Sequence, residues 1–192
     1  MGYSLVAGVD EVGMGPLAGP VAGGAVILPV GVRLKGLNDS KQLSGLARER
    51  LDEQIRKRAM ACSVHMVGPA QIDNLGLSAA RNLACAGAVD GLGLRVDYLL
   101  CDAWDVPGIA VAQMAVIKGD TCCASIMAAS IVAKVARDRL MIEYAKMYPG
   151  WGFERHKGYA TSEHRLAINR QGASPIHRLS WSPFKDNVGE VE

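Results

Sequence analysis

The sequence predicts an α/β protein with a mixed β-sheet, and three observations support this class. Three apolar segments with the length and composition of strands lie near the N-terminus. Two further apolar strands then alternate with segments of helical spacing, as in sheets that contain parallel pairs. The chain has 192 residues, of which 49% are hydrophobic, so residues 1–192 can form one domain with a sizeable core.

Each element is predicted from a local pattern. Strands are expected at 3–9, 17–28, 62–67, 96–101 and 110–117, which are apolar runs. Helices are expected at 46–59, 78–89, 122–147 and 161–170, where apolar residues recur at helical spacing or caps and breakers bound the segment. Ser78 and Thr161 are the predicted N-caps of two of these helices, and Pro149 and Gly172 follow helix ends.

Composition excludes several classes of protein. No segment approaches the ~20 consecutive apolar residues of a membrane span, and no basic segment precedes the first apolar run, so we expect a cytoplasmic protein without a signal peptide. The five cysteines lack C-x-x-C spacing, which favours buried thiols over a zinc site or disulfides. The formal net charge of +2 is weak support for a nucleic-acid partner, because clustering of charge matters more than its sum.

Four acidic residues stand where predicted elements begin or end. Asp10 and Glu11 follow the first strand, Asp102 ends the most hydrophobic strand, and Asp120 precedes the longest helix. In α/β sheets, ligand sites gather outside the carboxyl ends of strands. A set of carboxylates suits Mg²⁺ or Mn²⁺, and two such ions ~4 Å apart activate water and stabilise the leaving oxygen of a phosphodiester. The pattern therefore favours metal-dependent phosphoryl chemistry.

Each of these acidic residues also has an ordinary structural explanation. Asp10 and Glu11 can lie in an exposed turn, Asp102 can end its strand with an Asx turn, and Asp120 can cap a helix. Asp138 stands between two arginines within the longest helix, so we interpret it as a partner in surface ion pairs. The four histidines form no recognisable catalytic triad.

Six segments of the chain resemble, in order, the motifs of the ribonuclease HII family. They are GVDEVGMGPLAGPV at 8–21, NDSKQL at 38–43, KGD at 118–120, AASIVAKVARD at 128–138, HKGY at 156–159 and SPIHR at 174–178. Each motif is moderately specific. Their joint occurrence in the family's order, over nearly the whole chain, is very specific.

The resemblance implies a ribonuclease H-like fold, in which helices flank a central five-stranded mixed sheet and a helical extension occupies about 150–192. It implies that Asp10, Glu11, Asp102 and Asp120 are catalytic and hold two Mg²⁺ or Mn²⁺ ions. The expected enzyme cuts the RNA strand of RNA–DNA hybrids and nicks 5′ to ribonucleotides embedded in duplex DNA, leaving 3′-hydroxyl and 5′-phosphate ends. Such an activity belongs to ribonucleotide excision repair and DNA replication. An aspartate as fourth acid and no preceding domain indicate type HII over type HIII.

The resemblance also implies a set of substrate contacts. Backbone groups of the glycine turn sense the 2′-hydroxyl, the one group that distinguishes RNA from DNA locally. Tyr159 is expected to pack on the same ribose, and lysine and arginine side chains to contact phosphates, which position the duplex without reading its sequence. The implied substrate-binding residues are Gly13, Met14, Gly15, Ser40, Lys41, Lys157, Tyr159 and Arg178. Ser130, Lys134 and Arg137 are weaker candidates.

Met14 departs from the family pattern, in which this turn is usually Gly-Arg-Gly. Methionine keeps the backbone geometry available but cannot form a charge-assisted bond to phosphate. We therefore expect metal chemistry and 2′-hydroxyl sensing to persist, with weaker substrate affinity or weaker preference for a DNA–RNA junction.

Two alternatives remain open from the sequence. One is a hybrid-binding module without activity, to which Met14 alone points. The other is a nucleotide-binding enzyme that uses the glycine-rich turn as a phosphate loop, although the segment after that turn is predicted as strand and not helix. The expected partner is nucleic acid, with no membrane and no obligate protein partner. The polar tail at 185–192, which we expect to be flexible, has no motif for docking on a replication clamp.

Overall fold

The computed structural model describes residues 2–184, and its centre is a five-stranded mixed sheet. The strands are β1 (Val6–Val12), β2 (Val21–Ile27), β3 (Ala61–Val67), β4 (Tyr98–Asp102) and β5 (Gln113–Val116). Their order across the sheet is β3-β2-β1-β4-β5. The β1–β2 and β2–β3 pairs are antiparallel, whereas β1–β4 and β4–β5 are parallel. The predicted α/β class and mixed sheet are confirmed.

Helices cover both faces of this sheet. They are α1 (Gly45–Arg58), α2 (Pro69–Leu75), α3 (Leu77–Asp90), α4 (Gly119–Cys122), α5 (Ala124–Met147), α6 (Phe153–His156) and α7 (Ser162–Gln171). Residues of α3 share one apolar cluster with β1, β2 and β4, and residues of α1 and α5 share a second cluster with β2. The sheet is therefore the middle of three layers. A site can form at the carboxyl ends of its parallel strands.

Two consecutive glycines of β2 allow the helices to approach this closely. Successive residues of a strand face opposite sides of the sheet. A Cβ atom at Gly23 would lie 2.4 Å from the backbone of Ala84 in α3, and one at Gly24 would lie 2.3 Å from the carbonyl oxygen of Ala129 in α5. Any side chain at either position would push a helix away from the sheet.

Several predicted boundaries shift in the structure. The first strand spans Val6–Val12 and not 3–9, so Asp10 and Glu11 lie within it and do not follow it. The second strand begins later than predicted, at Val21, because the residues before it continue the glycine-rich turn; there Ala18 forms an isolated bridge with His177. The helix predicted at 122–147 is interrupted at Cys123, whose extended backbone separates α4 from α5. This break turns α4 toward the end of β5.

The helix caps agree with the sequence only in part. Thr161 caps α7 as predicted, since its hydroxyl accepts a hydrogen bond from the N–H of His164. Ser78 instead lies inside α3, which begins after Gly76 without a side-chain cap. Helix α2 is too short for its periodicity to predict it.

The C-terminal region packs against the second half of α5. Ala18, Met141, Phe153 and Ile176 form a buried cluster that joins the turn after β1, α5, α6 and the segment after α7. The predicted tail at 185–192 lies outside the described residues. Within residues 2–184, no helix is both long and apolar enough to cross a membrane.

Candidate active site

The four predicted carboxylates are gathered at one edge of the sheet. Val9 of β1 pairs with Cys101 of the parallel strand β4, so Asp10 and Asp102, the next residue of each strand, lie side by side near the carboxyl ends. Glu11 follows Asp10, and Asp120 lies in α4, just beyond the end of β5. The topology therefore brings together residues that are up to 110 positions apart in the chain, counted from Asp10 to Asp120.

These acids repel one another and are partly removed from water. Burial raises the pKa of Asp10 well above its usual range, and the negative charge of Glu11 raises it further; Asp10 is 5% exposed. Burial likewise raises the pKa of Glu11 and of Asp102, and the charge of Asp120 adds to the rise at Asp102. The nearby positive charges, Arg81 for Glu11 and Lys41 for Asp102, do not offset burial and repulsion.

The hydrogen bonds at the site show the same shortage of positive charge. Oδ1 of Asp102 is buried and has no hydrogen-bond partner among residues 2–184. Asp10 accepts only from the N–H of Glu11 (2.8 Å) and lies beside the hydroxyl of Ser130. Asp120 alone has a cation, because Nζ of Lys41 lies 2.8 Å from its Oδ2. This set of hard oxygen donors, one of them unpartnered, fits a divalent cation such as Mg²⁺ or Mn²⁺.

The carboxylates are nevertheless not drawn into a closed coordination shell. Within the described part of the chain, no three His, Cys, Asp or Glu side chains have the spacing of a metal centre. Like charges separate when no cation lies between them, and Asp120 is engaged by Lys41. The carboxylates are therefore candidate donors whose oxygens are held apart by their charges and by the Lys41–Asp120 ion pair.

The glycine-rich turn lies beside these acids, and Arg178 supports it from behind. Gly13 has a φ of +93°, a conformation that favours glycine. The guanidinium of Arg178 donates to the carbonyls of Gly13 (2.6 Å), Met14 (3.2 Å) and Gly19 (3.0 Å). Arg178 is 0% exposed, so it does not face the cleft. This position differs from the predicted phosphate contact, because all its donors are directed at the backbone of the turn.

The bonds of Arg178 fix which way the peptide groups of the turn point. In a trans peptide the C=O and N–H groups point in opposite directions. Because the carbonyls of Gly13 and Met14 face the buried guanidinium, the N–H groups of Met14 and Gly15 face the other side. Neither N–H has a hydrogen-bond partner within residues 2–184. The turn therefore presents two free backbone donors on the side away from Arg178.

A second buried arginine ties Tyr159 to this turn. Arg137 of α5 is 0% exposed and donates to the carbonyls of Ala18, Pro20 and Lys157. Tyr159 follows two residues later, is 40% exposed, and has Arg137 beside its ring at 6.0 Å from the ring centroid. Gly15 and Tyr159 line one cleft of about 250 Å³ together with Asp10 and Glu11.

The other predicted substrate-binding residues occupy different positions. Lys41 lines the cleft with its side chain 77% exposed, and Ser40 is buried with its hydroxyl 2.8 Å from that of Ser130. Lys157 donates to the carbonyl of Glu154 and is not among the residues that line the cleft. Met14 lines the cleft and also packs on a buried cluster. That cluster contains Val21, Val67, Ile72, Ala80 and Ala84.

Three histidines behind the cleft form a stack that the sequence does not predict. The rings of His156 and His164 lie 4.3 Å apart, and Nε2 of His164 is 3.0 Å from Nε2 of His177. Nδ1 of His177 accepts from the N–H of Ser174, so its proton is on Nε2 and is donated to His164. His164 in turn donates from Nδ1 to the carbonyl of Tyr159. The stack thus fixes the backbone that carries Tyr159.

Sequence reasoning also missed Arg81 and Trp104, which lie on the far side of the carboxylates. Both line a small recess with Asp10, Glu11 and Asp102. The available signal was the position of Trp104, a large aromatic residue two positions after Asp102.

Fold and site together define a metal-dependent enzyme of phosphoryl transfer. The family model for ribonuclease HII matches residues 7–184. A ribonuclease HII of Desulfitobacterium hafniense (strain DSM 10664 / DCB-2) is 48% identical over 190 residues, which cover 99% of this chain and 73% of the relative. The chain belongs to the ribonuclease HII family and is a metal-dependent endoribonuclease that acts on RNA–DNA hybrids.

Solved structures share the fold. The ribonuclease H2 of Pyrococcus horikoshii OT3 has a TM-score of 0.80 at 27% identity, covering 94% of this chain and 95% of that one. The ribonuclease HII of Archaeoglobus fulgidus, solved in a complex with PCNA, has a TM-score of 0.77 at 26% identity, covering 97% and 98%. The ribonuclease H-like fold is therefore confirmed.

Proposed function

We propose that this enzyme also nicks duplex DNA on the 5′ side of an embedded ribonucleotide, leaving 3′-hydroxyl and 5′-phosphate ends. One observation carries the proposal: the free N–H groups of Met14 and Gly15 border the same cleft as Asp10 and Glu11. The backbone donors that would contact the 2′-hydroxyl of one ribose then lie beside the carboxylates that would act on the adjoining phosphate. Such an arrangement needs only one ribonucleotide for recognition.

We assign the catalytic role to Asp10, Glu11, Asp102 and Asp120, which would hold two Mg²⁺ or Mn²⁺ ions in the substrate complex. When bound, such ions lower the pKa of water and stabilise the leaving oxygen. Ser130 and the N–H of Glu11 orient the carboxylate of Asp10. The unpartnered Oδ1 of Asp102 is the chain's strongest support for a bound cation.

The remaining residues bind and orient the substrate. Gly13, Met14 and Gly15 supply backbone groups to the 2′-hydroxyl, and Tyr159 packs on the same ribose. Ser40, Lys41 and Lys157 are the proposed contacts to phosphates, whereas Arg178 acts only by holding the turn. Lys41 is suited to a phosphate because its exposed ammonium is already drawn to the edge of the site by Asp120. We place the enzyme with its substrate in the cytoplasm.

The two alternative functions have less support. A phosphate loop of a nucleotide-binding enzyme is followed by a helix, whereas strand β2 follows this turn. A hybrid-binding module without activity would not require four acids that repel one another and phosphate.

The test uses three labelled substrates, each incubated with Mg²⁺, Mn²⁺ or chelator: a DNA duplex with one ribonucleotide, a long RNA–DNA hybrid and an all-DNA duplex. We expect a metal-dependent nick 5′ to the ribonucleotide, no cut in the all-DNA duplex, and a loss of at least ~10³-fold in Asp10→Asn. Asp90→Asn removes an exposed acid from the end of α3 and should cut like the wild type. Cleavage of long hybrids without cleavage at a single ribonucleotide would refute the proposal.

A further inference from the structure

Trp104, which is exposed, and Arg81, which is half-buried, form a pair beside the carboxylates. The guanidinium carbon of Arg81 lies 4.9 Å from the centroid of the Trp104 ring, which is a cation–π contact. Trp104 is 56% exposed although it is a large apolar residue. Asp10 and Glu11 line both the cleft of the glycine turn and the recess that contains this pair. The carboxylates therefore lie between the turn on one side and the pair on the other.

The backbone holds Trp104 at a fixed place relative to Asp102. Ala103 has a φ of +58°, a conformation that L residues other than glycine seldom adopt. The N–H of Trp104 donates to the carbonyl of Asp102 (2.8 Å), and the N–H of Ala103 donates to Val116 of β5 (3.0 Å). A strained residue held by two hydrogen bonds is typical of a functional segment. The indole is thus tied to the end of β4 and is not on a free loop.

Arg81 supplies a positive charge without a carboxylate partner. No Asp or Glu oxygen lies within 4.0 Å of its guanidinium in the described part of the chain, and its Nε and Nη2 donate only to the amide oxygen of Asn82. Its charge still reaches Glu11, whose pKa it lowers against the effect of burial. Basic side chains that lack acidic partners beside a nuclease site are suited to bind the phosphate backbone.

We propose that Trp104 and Arg81 form a subsite for the nucleotide that lies across the scissile phosphate from the ribonucleotide. Arg81 contacts the next phosphate of the cut strand, and the exposed indole packs on the adjoining sugar. The inference rests on the proposed function, since it takes the ribonucleotide to lie at the glycine turn. It also accounts for Met14: a cation that the turn lacks is supplied on the opposite side of the carboxylates.

Binding is measured with a fluorescent DNA duplex that contains one ribonucleotide, with Ca²⁺ in place of Mg²⁺. We expect Arg81→Gln to weaken binding about fivefold to tenfold and to lower the slope of log K against log salt by about one. A methylphosphonate at the contacted phosphate should cost the wild type the same factor and cost Arg81→Gln nothing. Trp104→Ala should weaken binding about fivefold, and Trp104→Phe should recover most of that loss.

Matched controls stand at the opposite end of the sheet. Tyr3 and Arg95 are exposed residues that precede β1 and β4, so Tyr3→Ala and Arg95→Gln should bind like the wild type. Thermal unfolding of every variant separates loss of binding from loss of fold, and Arg81→Gln with its methylphosphonate comparison tests the subsite if Trp104→Ala is unstable.

If both Arg81→Gln and Trp104→Ala keep the affinity and salt slope of the wild type, the subsite is overturned. The exposed indole would then be a candidate contact for a protein partner. The subsite would also be overturned if a methylphosphonate, at every position tested, weakened binding equally in the wild type and in Arg81→Gln. The wild type's cleavage of the same duplex with Mg²⁺ is scored separately. If that cleavage fails while the binding differences appear, the proposed function fails, and Arg81 and Trp104 remain a duplex-binding contact that is no longer defined relative to a scissile phosphate.

Discussion

Two regions differ in how their buried polar groups are paired. They are the carboxylate edge (Asp10, Glu11, Asp102 and Asp120) and the support behind the glycine turn (Arg137, Arg178 and the stacked histidines). At the edge, Asp10, Glu11 and Asp102 have raised pKa values, and one oxygen of Asp102 has no hydrogen-bond partner within residues 2–184. Behind the turn, Arg137 and Arg178 are fully buried and directed at backbone carbonyls. The edge has too little positive charge to balance its acids, whereas the polar groups of the supporting region are paired within the protein.

This difference shows where the protein gives up folding stability to form a functional site. Buried polar groups are stable when all their hydrogen bonds are made, and costly when one is missing. The chain confines the missing interactions to groups that a divalent ion would contact. The groups that only hold geometry, such as Arg178 and His164, form their bonds within the protein. The turn is therefore held in place by the protein before substrate binds.

The largest expected effect comes from removing the charge of Asp102. We expect Asp102→Asn to lose at least ~10³-fold in cleavage rate, and to gain about 1 kcal/mol in the free energy of unfolding measured without metal. The gain follows because the amide removes repulsion with Asp120. Urea unfolding with chelator and with Mg²⁺ measures it, and Asp105→Asn, at an exposed neighbouring acid, is the control. A variant that is destabilised without metal would show that the edge is not under strain.

The two regions also predict opposite responses of stability to pH. Burial lowers the pKa of His164 and of His177 from 6.5 to about 4, so the folded state keeps both neutral while the unfolded chain binds protons. Stability is therefore lost as the pH falls from 6.5 towards 4, by ~3 kcal/mol for a histidine that stays neutral. The raised pKa values at the edge act the other way, because folding favours the protonated acids.

Urea unfolding at pH 7.0, 5.5 and 4.5 separates these contributions. His164→Gln should flatten the acid loss, whereas His65→Gln, at an exposed position of β3, should leave it unchanged. Equal pH dependence in the wild type and His164→Gln would mean that the stacked histidines titrate normally.

The sequence predicts the edge far better than the support. Asp10, Glu11, Asp102 and Asp120 are marked by local position, since they stand near the ends of apolar strands or before the longest helix, and three of them lie in segments that resemble ribonuclease HII motifs. The buried position of Arg178 cannot be found in this way, since its partners are carbonyls of residues about 160 positions earlier, and carbonyls carry no sequence signal. The motif that contains Arg178 therefore predicts a phosphate contact, whereas the structure shows a support for the turn.

The strands were predictable for a similar reason, and some boundaries were not. Apolar runs of β1 and β4 are local signals, so their positions agree with expectation to within a few residues. The late start of β2 depends on the pairing of Ala18 with His177, which is a long-range contact. The Arg81–Trp104 pair also forms only through packing of α3 beside β4, so neither residue is conspicuous alone.

The smallest expected effect on activity comes from changing Met14, which lies between the carboxylate edge and the region that supports the turn. Its carbonyl is held by Arg178, while its side chain packs on the buried cluster under the turn. Because that carbonyl does not depend on the side chain, Met14→Arg should keep the turn and add one cation beside the cleft. We expect about fivefold tighter binding of the single-ribonucleotide duplex, a salt slope larger by about one, and a cleavage rate at saturation within about twofold of wild type.

Met14→Gln, which is polar but neutral, is the matched control and should not gain affinity. If Arg81 already provides the missing charge, the gain from Met14→Arg should be larger when Arg81 is changed to Gln, because each added phosphate contact is worth more when fewer are present. Unchanged affinity and cleavage in Met14→Arg would mean that the side chain at this position does not reach the phosphates. The departure from the usual Gly-Arg-Gly would then be a matter of packing on α2 and α3, where Ile72 and Ala80 lie, and not of substrate affinity.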